Sequence, residues 1–363
     1  MSYHLRTMPL LRKFISIFLV LLLLISANSC SMLSYYQQSI SGQLVLMSKR
    51  RSIDRLLKQK DLPVALRNKL LQAKQIRKYA SDVLHLPDNN SYRSYADLGR
   101  KYVLWNVVAT PEFSLEPLKW CYLIVGCLSY RGYFSRDDAI RFAKSLKRDG
   151  YDVDVAGVAA YSTLGWFADP VVNTMLQYDT TYMARVIFHE LAHQLIYFAN
   201  DTEFNEAFAD TVSEYGVRRW LQDENMVNET AKFERDLARE HDFNQLVMKY
   251  KAILERLYRS NRDKNDLRRQ KQKVFANMQA DYEKIRSSWN GSRDYQEWFD
   301  SGLNNAKLAL VLTYQDLVPG FFRVLARDDY DLPRFYQAIT RLKHCNKAAR
   351  RRYLATPRRD FSC

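Results

Sequence analysis

Apolar residues recur at helical spacing from about Ile40 to Leu86, with Leu56 and Leu57 followed by Leu62, Val64, Leu66, Leu70 and Leu71, until Pro87-Asp88-Asn89-Asn90 stops the pattern. This predicts an N-terminal helical segment. The period then shortens. YVLWNVVA at 102–109 and YDVDVAGVAAYSTLGW at 151–166 read as β-rich runs, separated by a glycine-punctuated YRGYF and a helix-like DDAIRFAKSLKRDG. A small mixed sheet follows from these runs. Helical spacing returns near Asp179 or Thr180 and again near Thr202, where Thr or Asp supplies an N-cap. Beyond Trp220 two stripes appear: Phe243, Leu246, Val247, Tyr250, Leu254 and Leu257, then Leu267, Val274, Met278, Tyr282 and Ile285. The polar break RSNRDKND between them predicts a hairpin of two long helices. From about Asp294 the chain is again mainly helical, with Pro319, Pro333 and Pro357 at boundaries. Only 11 Gly and 9 Pro in 363 residues agree with an α+β fold that is predominantly helical.

The first thirty residues stand apart. Arg6, Arg12 and Lys13 precede an apolar run from Phe14 to Ile25, too short to span a bilayer comfortably and suited to a signal peptide. The following Ala27-Asn28-Ser29-Cys30 resembles the cleavage site of a bacterial lipoprotein, in which the cysteine is lipidated and becomes the mature N-terminus. Asn28 fits that pattern loosely, and ordinary cleavage nearby or an uncleaved anchor is the plain alternative. On the resemblance, Cys30 anchors the protein in the cell envelope, and Ser31 after it favours the periplasmic face of the outer membrane.

Composition and charge narrow the function. At 47% hydrophobic residues the chain fills a sizeable core, so disorder is excluded over most of it. Its formal net charge of +15 stays positive without the leader, and eight Lys or Arg fall between residues 341 and 359, including Arg350-Arg351-Arg352. Such a run is ordinarily a solvated face, and an anionic lipid or envelope surface is its functional reading; nucleic acid does not suit an exported chain. Four cysteines remain after Cys30, an even number outside the cytoplasm, which suggests disulfides. Cys121 and Cys127 bridge only if the chain turns at Gly126, and that pairing is the favoured one. No second CxxC-type pair is present to make a zinc ribbon.

The densest chemistry lies in VIFHELAHQLIYFANDTEFNEAFAD, residues 186–210. On a helix, His189 and His193 are roughly 40° apart and about 6 Å apart along the axis, a spacing that suits one zinc ion. Glu190, next to the first histidine, is placed to face the reacting water rather than the metal, as a general base. Val186, Ile187, Leu191, Ala192, Gln194 and Leu195 are uncharged, as befits a helix crossing a protein interior; two satisfied helix histidines are the bland alternative. A catalytic zinc needs a third protein ligand and an open position. The metzincin solution fails because Ala199 stands where the third histidine belongs, so the ligand is a carboxylate.

Asn205-Glu206-Ala207-Phe208-Ala209-Asp210 resembles the NExxxD block of thermolysin-like gluzincins. The resemblance implies that Glu206 is the third ligand and that Asp210 orients His189. Glu206 follows His193 by only thirteen residues, a shorter connection than in thermolysin, so a turn near Asn200 has to return the second helix. Glu203 competes for the ligand role, although a charge favouring the first helical turn is its ordinary use. By the same resemblance Tyr161–Trp166 is the edge strand that pairs with substrate backbone. The oxyanion donor is assigned to Tyr314, with Tyr133 and Arg131 as rivals, and Asn304 and Asn305 are expected to hold that segment near the metal helices. Asp169 and Glu203 are candidates for recognising a free α-amine.

More specifically, WNVVATPEFSL, YRGYF, YSTLGWFADP, HELAHQ, NEAFAD and NNAKLAL occur in this order in a bacterial family of exported zinc proteins described as predicted aminopeptidases. The patterns along the chain divide it into a leader at 1–29, a helical segment at 30–90, a core at 91–225 that resembles a zincin of gluzincin type, the hairpin at 226–290 as a wall or lid, and a helical region with a basic tail at 291–363. The residues of the HELAHQ and NEAFAD blocks point to a zinc-dependent peptidase, and the family resemblance implies that it acts as an aminopeptidase on peptide or protein substrates. An envelope endopeptidase, and a non-catalytic zinc-stabilised lipoprotein that binds a partner through its hairpin, are the alternatives.

Overall fold

The computed structural model describes residues 33–122, 126–163, 165–312, 317–359, 361 and 363. The chain divides into two units, Met1–Ser48 and Lys49–Cys363. In the first, residues 33–48 are helical (α1); Cys30 lies outside the described residues.

The second unit opens with β1 (Arg51–Ser52), α2 (Ile53–Leu57) and α3 (Val64–Asp82). The continuous helical spacing of the sequence is therefore divided into separate helices, and the physical cause is Pro63 and the short strand β1. Pro63 stands at the N-cap of α3, where its missing N–H costs nothing. α3 buries Leu70, Ala73, Ile76 and Ala80 and packs on the helix that carries the paired histidines.

Among the described residues the strands form two small sheets and a ribbon. β2 (Ser94–Ala96) lies between β1, antiparallel, and β8 (Val171–Val172), parallel. β3 (Leu104–Pro111) is the centre of an antiparallel sheet, flanked by β6 (Arg131–Tyr133) and β7 (Tyr151–Val158), with Val107 opposite both Arg131 and Val155. Four consecutive buried residues, Val107 to Thr110, belong to a strand covered on both faces; α4 (Arg136–Arg148) and α11 (Asn305–Leu312) both pack on it. The ribbon pairs β4 (Trp120–Tyr122) with β5 (Gly126–Leu128).

β7 stops at Val158, and the described residues of 161–166 are not in a strand. The Asp169 carboxylate accepts hydrogen bonds from Thr163 N–H at 2.9 Å and Thr163 Oγ1–H at 2.8 Å, and Trp166 N–H turns back to Thr163 O at 3.1 Å. Local side-chain bonds of this kind compete with a ladder for the backbone.

β8 passes through α5 (Asn173–Leu176) into α6 (Thr180–Leu195), capped by Asp179, whose Oδ1 accepts from Tyr182 N–H at 2.8 Å. α7 (Thr202–Asp223) returns alongside and is buried on most sides. A Cβ at Gly216 of α7 would come within 2.7 Å of Leu84 and 3.0 Å of Phe188, so the close approach of α7 to α6 depends on glycine there. α8 (Val227–Tyr258) and α9 (Lys264–Ser287) form the long hairpin. Phe243, Val247, Tyr250, Leu254, Met278 and Tyr282 meet inside it and continue into Trp289, Phe299 of α10 (Gln296–Asp300) and Leu308 of α11. Arg185 of α6 joins Glu240 of α8 through bonds of 2.6 and 3.0 Å, and Lys271 of α9 joins Asp152 of β7 at 2.6 Å. α12 (Val318–Arg327), α13 (Leu332–Arg341) and α14 (Lys347–Ala355) complete the fold, a predominantly helical α+β architecture with small sheets. A disulfide joins Cys345 to Cys363.

Candidate metal centre

α6 and α7 bring three side chains to one point. His189 and His193 sit one turn apart on α6. Its end is extended at Ile196, and the chain turns at Asn200 with φ 63°. Asn205, buried in the first part of α7, fixes this turn: its Oδ1 accepts from Phe198 N–H and its Nδ2–H donates to Phe198 O, both at 2.8 Å. That pair of bonds sets the register of Glu206, the next residue.

His189 Nε2 and His193 Nε2 are 3.1 Å apart, and Glu206 Oε2 is 3.2 Å from the first and 3.5 Å from the second. Ligand atoms about 2.0–2.1 Å from one ion at the tetrahedral angle would be separated by about 3.3 Å. The observed triangle fits. Among the described residues these three form the group of His, Cys, Asp or Glu that can hold a metal ion. Asp210, four residues after Glu206, accepts from His189 Nδ1–H at 3.0 Å, which fixes the tautomer and leaves the Nε2 lone pair facing the other two ligands. His193 Nδ1 is buried with no hydrogen-bond partner among the described residues.

The ionisation of the group is set by its own members. Burial opposes charge on His189, yet its bonds to Asp210 and Glu206 outweigh burial and hold its pKa well above the usual imidazole range. Burial raises Glu206, but His193 and His189 outweigh it and hold this carboxyl well below the usual range. With a metal ion bound, the two Nε2 atoms and this carboxylate would be its ligands.

Glu190 lies close to the same three residues. Burial pushes its carboxyl above the usual range against the pull of His189 and His193, and the Ser162 side chain hydrogen-bonds it. Tyr92 is wholly buried, and its hydroxyl has no hydrogen-bond partner among the described residues; burial first, then Glu190 and Asp169, hold its pKa up. Tyr130, just before β6, is also raised by burial first and then by Glu206 and Glu190, with Tyr197 and Tyr161 close enough to add to the effect. Tyr130 reaches this place through the β4–β5 ribbon, which the Cys121–Cys127 disulfide closes. The ribbon in turn rests on the turn between the metal helices: Cys127 N–H donates to Asn200 Oδ1 at 3.2 Å, and a Cβ on Gly126, φ 77°, would come within 2.4 Å of that oxygen.

Several sequence candidates are engaged by other residues. Glu203 pairs with Arg351 and is not in the ligand group. Asp169, 2% exposed, is spent on Thr163 and Ser162; burial raises its pKa to about 6 despite those bonds. Tyr133 is buried against Phe142, and the Arg131 guanidinium lies 4.6 Å from the centre of that same ring. Asn304 and Asn305 bind the sheet rather than the metal helices: Asn304 Nδ2–H donates to Val153 O at 3.3 Å, Asn305 N–H to Asp152 at 2.8 Å, and Asn305 Nδ2–H to Glu112 O at 3.0 Å. Asn304 also serves the start of α11, where free backbone groups require partners: its Oδ1 accepts from Lys307 N–H at 3.0 Å. Tyr314 lies outside the described residues. Sequence reasoning passed over Tyr130 and Ser162, although both stand in blocks that carry the family resemblance, YRGYF and YSTLGWFADP.

Residues 34–354 match the model of the family described as "Putative aminopeptidase". No curated protein and no solved structure matches the chain. The chain belongs to that family.

Proposed function

We propose that this protein is a zinc-dependent peptidase with a gluzincin-like core, acting on peptides with a free N-terminus. The mutual spacing of His189 Nε2, His193 Nε2 and Glu206 Oε2, with Asp210 behind His189, carries the reading. Those three residues would hold the zinc, because two imidazoles and a carboxylate leave a coordination position open. Zinc supplies Lewis acidity there, which brings the pKa of a coordinated water toward neutrality.

The chain's own residues do the rest. Glu190, buried and raised in pKa, accepts the proton of the attacking water and returns it to the departing amine. Tyr130, whose surroundings include both Glu190 and Glu206, is the donor we assign to the developing oxyanion in place of Tyr314. The preference for a free amine rests on family membership, since Asp169 and Glu203 are both engaged by other residues.

We place the protein in the bacterial envelope, lipid-anchored through Cys30 on the periplasmic face of the outer membrane. The leader sequence supports this, and the two disulfides agree with an exported chain. Palmitate labelling that disappears in Cys30→Ser is the expected result.

The decisive experiment compares cleavage of peptides with free and with acetylated N-termini by the wild type and by Glu190→Gln. Cleavage of free peptides alone, lost in the variant, is expected. Equal cleavage of both would make the protein an endopeptidase. Stoichiometric zinc with no cleavage of either would point to a binding module, although the apolar stripes of the hairpin are already packed inside the fold.

A further inference from the structure

α1 turns an apolar stripe outward. Leu33, Ile40 and Leu44 are spaced seven and four residues apart, so they share one side of the helix, and they are 70%, 59% and 64% exposed. Leu46, on the opposite side, is buried. Tyr36, four residues before Ile40, flanks the stripe, and Gln37 and Ser41 rim it without charge. A contiguous apolar surface rimmed by polar residues marks a face that something covers.

Charge selects what covers it. From Phe14 to Ser48 the sequence holds no Asp, Glu, Lys or Arg, and the first acidic residue of the whole chain is Asp54. Nothing on α1 is repelled by an anionic surface, and no charge on it loses hydration on entering a headgroup layer. Lys49, Arg50 and Arg51 follow α1 directly, and all three are exposed. A basic cluster beside an apolar helical face is drawn to anionic lipid. Charges at the rim fix the register of a protein partner, and α1 offers none.

Length decides between lying on a bilayer and crossing it. At the helical rise, residues 33–48 cover about 24 Å, less than the roughly 30 Å of hydrocarbon. Among the described residues no helix is long and apolar enough to cross a membrane. The Tyr36 ring, an apolar body with a polar tip, suits the boundary between acyl chains and headgroups.

We propose that α1 lies along the surface of an anionic bilayer, with Leu33, Ile40 and Leu44 at the acyl boundary and Lys49, Arg50 and Arg51 at the headgroups. The inference extends the envelope location proposed above and does not depend on acylation of Cys30.

The test replaces Ile40, Leu44 and, as a control, Val227, which is 76% exposed, one at a time by a photoreactive benzophenone amino acid in the full chain made in bacteria. Membranes are irradiated and covalent adducts identified by mass spectrometry. Phospholipid adducts at Ile40 and Leu44, at least tenfold above those at Val227, are expected. Lys49→Gln/Arg50→Gln/Arg51→Gln should lower their yield severalfold, and Lys49→Arg/Arg50→Lys/Arg51→Lys, which keeps the charge, should restore it. Protein adducts in place of lipid ones, or no adducts, overturn the proposal; an undiminished yield in the glutamine variant overturns the anionic surface. Palmitate labelling of the same samples separates this inference from the anchor. Palmitate on Cys30 without adducts at Ile40 and Leu44 defeats the inference alone, and adducts without palmitate defeat the anchor alone.

Discussion

His189 Nδ1 donates to Asp210 Oδ1 at 3.0 Å, from one metal helix to the other. This bond decides which imidazole nitrogen is free to bind a metal, and it ties α6 to α7 behind the ligand triangle. Asp210→Ala is therefore expected to lower zinc affinity by about 10–100-fold while the fold persists. Competition against a chromophoric chelator measures it. Unchanged affinity would mean that the packing of α6 on α7 alone fixes the ring.

Tyr130→Phe should lower kcat by about 10²–10³ with KM nearly unchanged, the signature of a donor that acts as negative charge develops. Because the Cys121–Cys127 ribbon positions Tyr130, a reductant should slow the wild type and leave the variant's residual rate unaltered. A rise in KM with constant kcat would assign Tyr130 to ground-state binding instead.

Asp169 gives a pH dependence of definite sign. Its folded pKa of about 6 lies above its ordinary value of 3.8, so between these values the folded state binds the extra proton. The stabilisation is fully present below pH 3.8 and is lost as pH rises through about 6. The shift corresponds to about 3 kcal/mol. Urea unfolding between pH 4 and 7.5 should show wild type losing stability over this window relative to Asp169→Asn. Parallel profiles would remove burial of this carboxyl as a source of pH sensitivity.

Local and periodic features were readable from the sequence. The uncharged neighbours of His189 and His193 marked a buried helix, and Phe243 to Leu254 marked one arm of the hairpin, because helical period and burial coincide there. Other features depend on partners distant in sequence. Nothing near Tyr130 distinguishes it among 24 tyrosines; its place depends on a ribbon lodged on Asn200, seventy residues later. The apolar run past Val158 continues as if a strand, but Asp169 takes the backbone of Thr163 out of the ladder. Likewise, the basic run at 350–352 reads as a solvated face until its acidic partners are seen: Arg350 is 8% exposed and paired with Asp201, and Arg351 pairs with Glu203.

The Arg350–Asp201 pair has a consequence for the metal centre. Asp201 is 1% exposed at the N-terminal end of α7, the helix that carries Glu206 and Asp210. The Arg350 guanidinium also lies 4.7 Å from the centre of the Phe198 ring, within the turn that Asn205 fixes. Removing the arginine leaves the buried carboxylate with only Arg351, at 4.0 Å, and losing the close partner of a buried pair costs up to about 3–5 kcal/mol. Arg350→Met should therefore lower stability by about that amount and reduce zinc affinity, because the start of α7 loosens where Glu206 is set. Removing the carboxylate's charge as well, in Arg350→Met/Asp201→Asn, should recover much of both losses. Chemical denaturation and chelator competition on the two variants measure the two effects separately. If stability falls in Arg350→Met while zinc affinity holds, the turn at 196–201 is fixed by Asn205 alone, and α14 contributes to the fold without reaching the metal.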